Sequence, residues 1–392
     1  LGTMAKEADL LNATEFMEAI RLGMANISYW DPMKENILPD TSDPRIFDAD
    51  GKPLYNTNWQ KEATRSAWSH SHQLNIQSQG DKSSLGFFFN YTDQQGIMLN
   101  NYSKRLNAKV TYDTKIKDWL SADANLMVNH IWGNTMADGG GDQTARRTMW
   151  EMPPIYPVKF PDGSWSHGLS GQNNFGLEGM SNPVHELTQV KRMRYRTKIF
   201  GNFGATFHIL PGLDLRTQIG IDANILSAKN YSPNDLQNSS APLGRADISH
   251  GSSVYWQEET YLTYNKTFKD IHRLNATLGM SWSRKTSDSD GTGTVQGFDD
   301  NYYGYDNLGV GTTPSAPYSG WEQWSMNSYF ARASYTLLDK YMATATVRVD
   351  GSSRFGKNNR YAMFPSVGLG WLVSEEDFMK PASGWLNSLK LH

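Results

Sequence analysis

The chain holds nine histidines and no cysteine, so metal or nucleophilic chemistry would fall to His, Ser, Asp and Glu. His70 and His72 stand two apart in an alternating segment and would face the same way, but spacing places no further ligands beside them. Asp48-Ala49-Asp50-Gly51 carries the start of a calcium turn without the rest of an EF-hand loop, and reads as a plain turn. Gly291-Thr292-Gly293 lies among Ser, Asp and Thr, not between a strand and a helix, so it is no phosphate loop. No Ser, His and Asp can be paired by spacing. The pattern predicts no catalytic residue, no cofactor and no metal.

Two other sets remain. Arg105, Lys109, Asp113, Asp123, Arg196, Lys198, Arg216, Asp222, Glu259, Arg332 and Arg348 alternate with apolar residues and mix both signs. They fit a polar wall on which a plug domain docks and solute passes. They fit the wet lining of a plain porin equally well. The second set is aromatic: Trp150, Trp165, Tyr302, Tyr303, Tyr305, Trp321 and Trp324 fall in long connections. Flat rings bury much area at small entropic cost, so they suit stacking on sugars or anchoring a protein partner. Packing the connections against one another is the plainer role. Pro153-Pro154-Ile155-Tyr156-Pro157 is stiff and extended.

The elements that position these residues are strands. In Tyr329–Leu337, Tyr341–Val349 and Val367–Val373 every second side chain faces one way. The same alternation fills His70–Gln79, Ser84–Thr92, Lys104–Asp113, Leu120–Val128, Arg194–Leu210, Leu215–Asn224, Ser253–Lys266 and Arg273–Lys285. Leu389 and Leu391 begin another. Several runs reach ten residues or more, against about 5–6 in ordinary sheets, and about 9–11 tilted residues span a bilayer. Connections alternate strictly between short turns and the long stretches Gly133–Met193, Ile225–Gly251 and Thr286–Ser325, as in barrels with short periplasmic turns and long extracellular loops. Gly139, Asn238 and Gly291 are thus expected outside, and Gly80, Gly212 and Asp339 on the periplasmic side. The expected fold is all-β, an antiparallel transmembrane barrel portion of about eleven complete strands.

Composition agrees. No run of about 18 apolar residues exists for a membrane helix, but a barrel needs only alternate apolar positions. Aromatics make up 12%, with 13 Trp and 19 Tyr, enough for girdles at both interfaces. A net charge of −3 gives no pull toward nucleic acid. Absence of cysteine is compatible with an oxidising compartment. Before the strands, Asn12-Ala13-Thr14-Glu15 reads as a capping box opening a short helix that stops at Gly23. A Pro-, Asp- and Asn-rich loop follows to Trp59.

Arg332 with Tyr335, Asp339-Lys340-Tyr341, the run Arg348-Val349-Asp350-Gly351-Ser352-Ser353-Arg354-Phe355-Gly356, Phe364-Pro365-Ser366, Gly370-Trp371 and Ser374-Glu375-Glu376-Asp377-Phe378 resemble the SusC/RagA family of TonB-dependent outer-membrane transporters. Asn58-Trp59-Gln60, Asn90-Tyr91 through Gln95-Gly96-Ile97, Lys117-Asp118-Trp119-Leu120 and Leu262-Thr263-Tyr264-Asn265-Lys266 extend the likeness over nearly the whole chain. The resemblance implies a 22-stranded barrel around an N-terminal plug, and energy from the TonB complex of the inner membrane. It also implies a SusD-like lipoprotein over the extracellular loops and import of oligosaccharides or peptides through the outer membrane of a Gram-negative bacterium. It favours the plugged reading of the charged wall, with a passive porin or barrel-embedded hydrolase as the alternative. On this orientation His70–Gln79 runs inward. Residues 1–69 are then expected in the first extracellular loop, after a plug and first strand that lie upstream, and 70–392 in the partial barrel.

Overall fold

The computed structural model describes residues 1–392 apart from 31–40, 137–143, 168–180, 237–243 and 383, and the backbone alone for 24–30. Gly139 and Asn238 lie outside the described residues. The chain opens with helix α1 (Ala13–Trp30). Asn12 caps it as expected: its side-chain oxygen accepts from the N–H groups of Thr14 and Glu15, and the Glu15 carboxylate accepts from the Asn12 N–H at 2.9 Å. The helix does not stop at Gly23. A lone glycine ends a helix when its φ turns positive, and Gly23 is not among the residues with positive φ. Helix α2 (Trp59–Ala63) follows, capped by Asn58. The Asp48 turn is a plain one, its carboxylate accepting from the N–H groups of Asp50 and Lys52.

Strands β1 (Ser69–Gln79), β2 (Ser83–Gln95), β3 (Tyr102–Lys117) and β4 (Leu120–Asn134) come next. The connection after β4 holds helices α3 (Ala145–Glu151) and α4 (Pro183–Gln189). Then follow β5 (Lys191–Leu210), β6 (Leu213–Ser232), β7 (Arg245–Phe268) and β8 (His272–Gly291). The short β9 (Val295–Gln296) and β10 (Thr313–Pro314) form a ribbon on β7. β11 (Tyr318–Leu337), β12 (Tyr341–Ser352), β13 (Tyr361–Leu372) and the stub β14 (Lys390–Leu391) close the series. All lie in one antiparallel sheet in chain order, with β8 beside β11. β1 and β14 are not neighbours, so the sheet is open. Among the described residues eleven strands are long, the expected number.

The upper ends of four strands run further than the alternation suggested. β6 reaches Ser232, β7 starts at Arg245, β8 ends at Gly291 and β11 starts at Tyr318. The second and third long connections shrink to 233–244 and 292–317, and Gly291 is a strand residue paired with Ser249 and Tyr318. Periodicity reports which side chains meet an apolar medium, whereas pairing needs only backbone hydrogen bonds. Above the apolar zone, polar side chains line the ladder, as where Arg194 donates to Asn230 and Asn230 to Asp247. Three of the short turns use positive φ, supplied by Lys269 with Asp270, by Leu338 with Asp339, and by Gly212. At Gly212 a Cβ would come 2.1 Å from the Asn265 carbonyl oxygen.

Residues directly opposite in paired strands share a face. One row reads Leu120, Phe207, Leu215, Leu262, Leu278, Ala331 and Val347. Among the described residues nothing covers this apolar face: Leu278, between β7 and β11, is 64% exposed. Rings gather near its two ends, Trp119 with Phe207 and Tyr341 with Trp371 at the short-turn end, Tyr91 and His130 with Trp132 at the other. The buried core lies elsewhere. Ile46, Phe47, Trp59, Ile155 and Tyr156 pack where 1–68 meets the β4–β5 connection. Tyr231, Ala246, Val295 and Phe298 pack beside β9.

Candidate functional site

The opposite face of the sheet is polar, and the register puts all eleven charged residues named above on it. Asp113 and Asp123 stand in one row with Gly204, Gln218 and Glu259. Lys109 leads through Met127 and Phe200 to Asp222, Tyr255, Lys285 and Trp324. Arg105 shares a row with Ile131 and Arg196, and Asn107 with Asn129 and Lys198. Arg216 shares one with Tyr261, Gly279, Phe330 and Arg348, while Arg332 sits between Thr277 and Thr346. Each of these rows lies an even number of residues from the next, so all face one way.

Most charges on this wall have an ionic or hydrogen-bonding partner. Arg216 grips Asp123 through both guanidinium nitrogens, at 2.7 and 3.0 Å. Gly204 makes room for that fork, since a Cβ there would lie 2.5 Å from Arg216 Nη2 and 2.7 Å from Asp123 Oδ1. Lys198 meets Asp222 at 3.3 Å, and Arg348 holds Asp350 at 2.7 Å and Ser328 at 2.9 Å. Arg196 donates to Asn224. Glu259 accepts from the amides of Gln257 at 2.6 Å and Gln218 at 2.8 Å. Arg105, Lys109 and Arg332 have no ionic partner among the described residues. Among these residues also, no group of three or more His, Cys, Asp or Glu is arranged to hold a metal. Such a wall can hold and orient a polar solute or a packed domain through hydrogen bonds.

The seven aromatics lie in several separate places. Trp321 and Trp324 lie in β11, not in a loop, because the strand starts at Tyr318. Three residues apart in a strand, they point to opposite faces: Trp321 pairs with Asp288 on the apolar side and Trp324 with Lys285 on the polar side. Trp324 lies 6.0 Å from the Tyr255 ring and under the Arg354 guanidinium at 5.4 Å. Trp150 lies in the last turn of α3, half exposed, at the edge of a cleft between the N-terminal segment and Met152–Pro154. Trp165 is sandwiched between Lys159, 4.1 Å from its centroid, and His185, stacked at 4.3 Å. Tyr302 and Tyr303 form an exposed edge-on pair, and Tyr305 packs on the Tyr231 cluster with Lys191 and Lys229 over its ring.

Two groups carry interactions that spacing alone did not single out. His185 in α4 is fully buried, close to His167 and 3.3 Å from the Asp235 carboxylate without hydrogen-bond geometry. Burial pushes it down to about 4 and lowers His167 as well. Burial also raises Glu186 against the pull of Arg192, and takes the unpartnered Tyr156 hydroxyl up to about 12. At the short-turn end, Glu376 accepts from the Tyr341 hydroxyl at 2.6 Å and the Trp371 indole at 3.1 Å, and meets Lys340 at 3.5 Å. Those are the residues of the Asp339-Lys340-Tyr341, Gly370-Trp371 and Ser374-Glu375-Glu376 motifs, which therefore meet in space. Asn58-Trp59-Gln60 has a similar account. Asn58 caps α2, the Trp59 indole donates to the Pro153 carbonyl, and Gln60 clasps the Ala8 backbone from both sides.

No family model matches the chain. Over 335 residues it is 26% identical to the TonB-dependent receptor P3 of Formosa agariphila, which covers 84% of this chain and 32% of that protein. Over 361 residues it is 28% identical to the TonB-dependent receptor SusC of Bacteroides thetaiotaomicron, covering 86% and 34%. The chain thus spans about a third of the length of the curated relatives it matches. The solved structure of the RagAB peptide transporter matches 97% of this chain and 44% of that chain with a TM-score of 0.71, a likeness of fold at 20% identity. In sequence the chain is similar to SusC and other TonB-dependent receptors, and in fold to an open portion of the RagAB transporter's antiparallel barrel.

Proposed function

We propose that the chain supplies barrel wall to an outer-membrane nutrient importer that takes up oligosaccharides or peptides. On this reading TonB provides the energy, a SusD-like surface lipoprotein closes over the extracellular loops, and no chemical step is catalysed. The observation that carries it is the two-sidedness of a single-layer sheet. One face is apolar and uncovered, suited to lipid, and the other holds all eleven charges. Solute captured under the lipoprotein would pass along the polar wall once the plug is displaced. The peptide-transporting RagAB complex shares the fold, which keeps peptides beside glycans as the substrate class.

The test is growth and uptake. A strain lacking the full-length gene should lose growth on one glycan or on peptide mixtures, and uptake should vanish when TonB is inactivated. Uptake that survives TonB loss would leave a passive porin instead. Affinity purification in mild detergent should recover a lipoprotein of comparable abundance. A transporter that purifies alone would remove the lid from this reading. Because Trp321 and Trp324 face opposite sides, Trp321→Ala and Trp324→Ala should be made separately.

A further inference from the structure

The polar face contains a hollow of about 230 Å³ whose centre is Gly220. Around it the register sets a square of side chains. Phe200, Asp222 and Tyr255 stand above, Asn202 and Gln257 beside it, and Gly204, Gln218 and Glu259 below. The missing side chain at Gly220 makes the hollow. A Cβ there would meet only the Gln257 and Gly201 carbonyl oxygens, both at 3.9 Å. Two rings, Phe200 and Tyr255, wall one side.

The polar atoms around the hollow are chiefly acceptors. Glu259 has two amide donors but no basic partner among the described residues, although the neighbouring Asp222 and Asp123 each have one. The Asn202 side-chain carbonyl oxygen is buried without any hydrogen-bond partner. The Gln257 side-chain oxygen Oε1 accepts from the Tyr255 hydroxyl, which ties that ring to the hollow's edge. No Lys or Arg lines the hollow. A carboxylate without a basic partner, across the hollow from two aromatic rings, suits a planar or tetrahedral cation, through charge-assisted hydrogen bonds and contact with the rings.

We propose that the hollow over Gly220 binds a guanidinium or ammonium group, with Glu259 as its counter-ion and Phe200 and Tyr255 as its walls. Two sources share that chemistry: a basic side chain of a peptide-like solute, or a basic side chain elsewhere in the full-length protein that packs on the wall. The proposal deepens the transport reading, since a cation-accepting station on the wall would bias passage toward basic solutes. Its test is binding, which does not depend on transport.

Calorimetry on the full-length protein in detergent would compare argininamide with citrullinamide, its uncharged isostere. If solute fills the hollow, argininamide binds saturably and citrullinamide at least about tenfold more weakly, the difference a charge-assisted bond makes. Glu259→Gln, which keeps size and hydrogen bonding, and Gly220→Leu, which fills the space, should each abolish that preference. If the protein's own side chain occupies the hollow, neither probe binds the wild type. Both variants then lower the Tm and make the packed segment more sensitive to protease. Equal binding of the two probes, or no binding with Tm and protease pattern unchanged in both variants, overturns the proposal. Loss of TonB-dependent uptake with argininamide preference intact would instead strike the transport reading alone.

Discussion

The buried cluster where residues 1–68 meet the β4–β5 connection, here called the cap, and the strand wall are built from similar apolar residues and end in opposite states. In the cap, Ile155 and Tyr156 are 0% and 1% exposed, covered by Phe47, Trp59 and α1. In the wall, Leu278 remains 64% exposed although its backbone pairs with β7 on one side and β11 on the other. The difference is the second layer. The cap folds three sequence-distant segments onto one another and buries area against itself, at about 25 cal/mol per Å². The wall satisfies its backbone through neighbouring strands and leaves one face for its surroundings to cover, as a membrane sheet must. The cap's stability is therefore internal, and the wall's depends on the medium.

The largest effect that would test this contrast lies in the cap. Trp59→Ala removes a buried indole and its bond to the Pro153 carbonyl, and should cost about 3–5 kcal/mol. Hydrogen exchange should speed up across 43–63 and 144–167 while β7, β8 and β11 keep their protection. If those strands lose protection together with the cap, the two regions are one cooperative unit and the contrast fails. Next comes the wall. Val110→Arg on the apolar face should cost about 2–4 kcal/mol when folding is followed in bilayers, and Thr111→Arg on the polar face much less. Equal penalties would mean that both faces are buried, as in a soluble sandwich.

The same contrast explains what could be read from the residues. Strand number, facing and the short turns were legible, because alternation records the medium on each side of the wall. The polar set from Arg105 to Arg348 followed directly, since in a strand parity fixes the face. Strand ends above the apolar zone left no such record, so Trp321 and Trp324 were expected in a loop. The cap was least legible. Its contacts, Trp59 to Pro153 or His185 to Trp165, join positions whose separation follows no period. Glu259 was visible as a charge, but the hollow beside it depends on three strands meeting around Gly220.

A medium-sized effect should follow pH in the cap alone. His185 faces Asp235, which favours its charged form, and His167 and Lys159, which oppose it; burial outweighs them all and lowers its pKa from 6.5 to about 4. Between those values the opened cap binds a proton that the closed cap refuses. Stability from this group is full above pH 6.5 and falls as pH drops toward 4, by up to about 3 kcal/mol. Protease cleavage in 181–190 should rise between pH 7 and 5, and His185→Phe should weaken that dependence, leaving the part due to His167, while keeping the stack on Trp165. A cap equally resistant at both pH values would show that His185 is protonated when closed.

The smallest expected effect sharpens the contrast from the wall's outer rim. Arg354 pairs with Glu322 at 2.8 Å, but both side chains are well exposed, at 59% and 66%. Water screens such a pair, and holding two long side chains together costs rotamer entropy, so its contribution should be about 0–1 kcal/mol. Glu322→Gln should therefore change wall stability by less than about 0.5 kcal/mol and become silent above roughly 0.5 M salt. Arg216 with Asp123 is a bidentate pair on the same face, at 24% and 32% exposure, with Thr206 also accepting from the guanidinium. Asp123→Asn strands that guanidinium within a partly covered site, so its cost should exceed that of Glu322→Gln and persist in salt. A double-mutant cycle at each pair would measure the two coupling energies. Equal values would mean that the polar wall is uniformly wet, and the fork that Gly204 makes room for would have no energetic meaning.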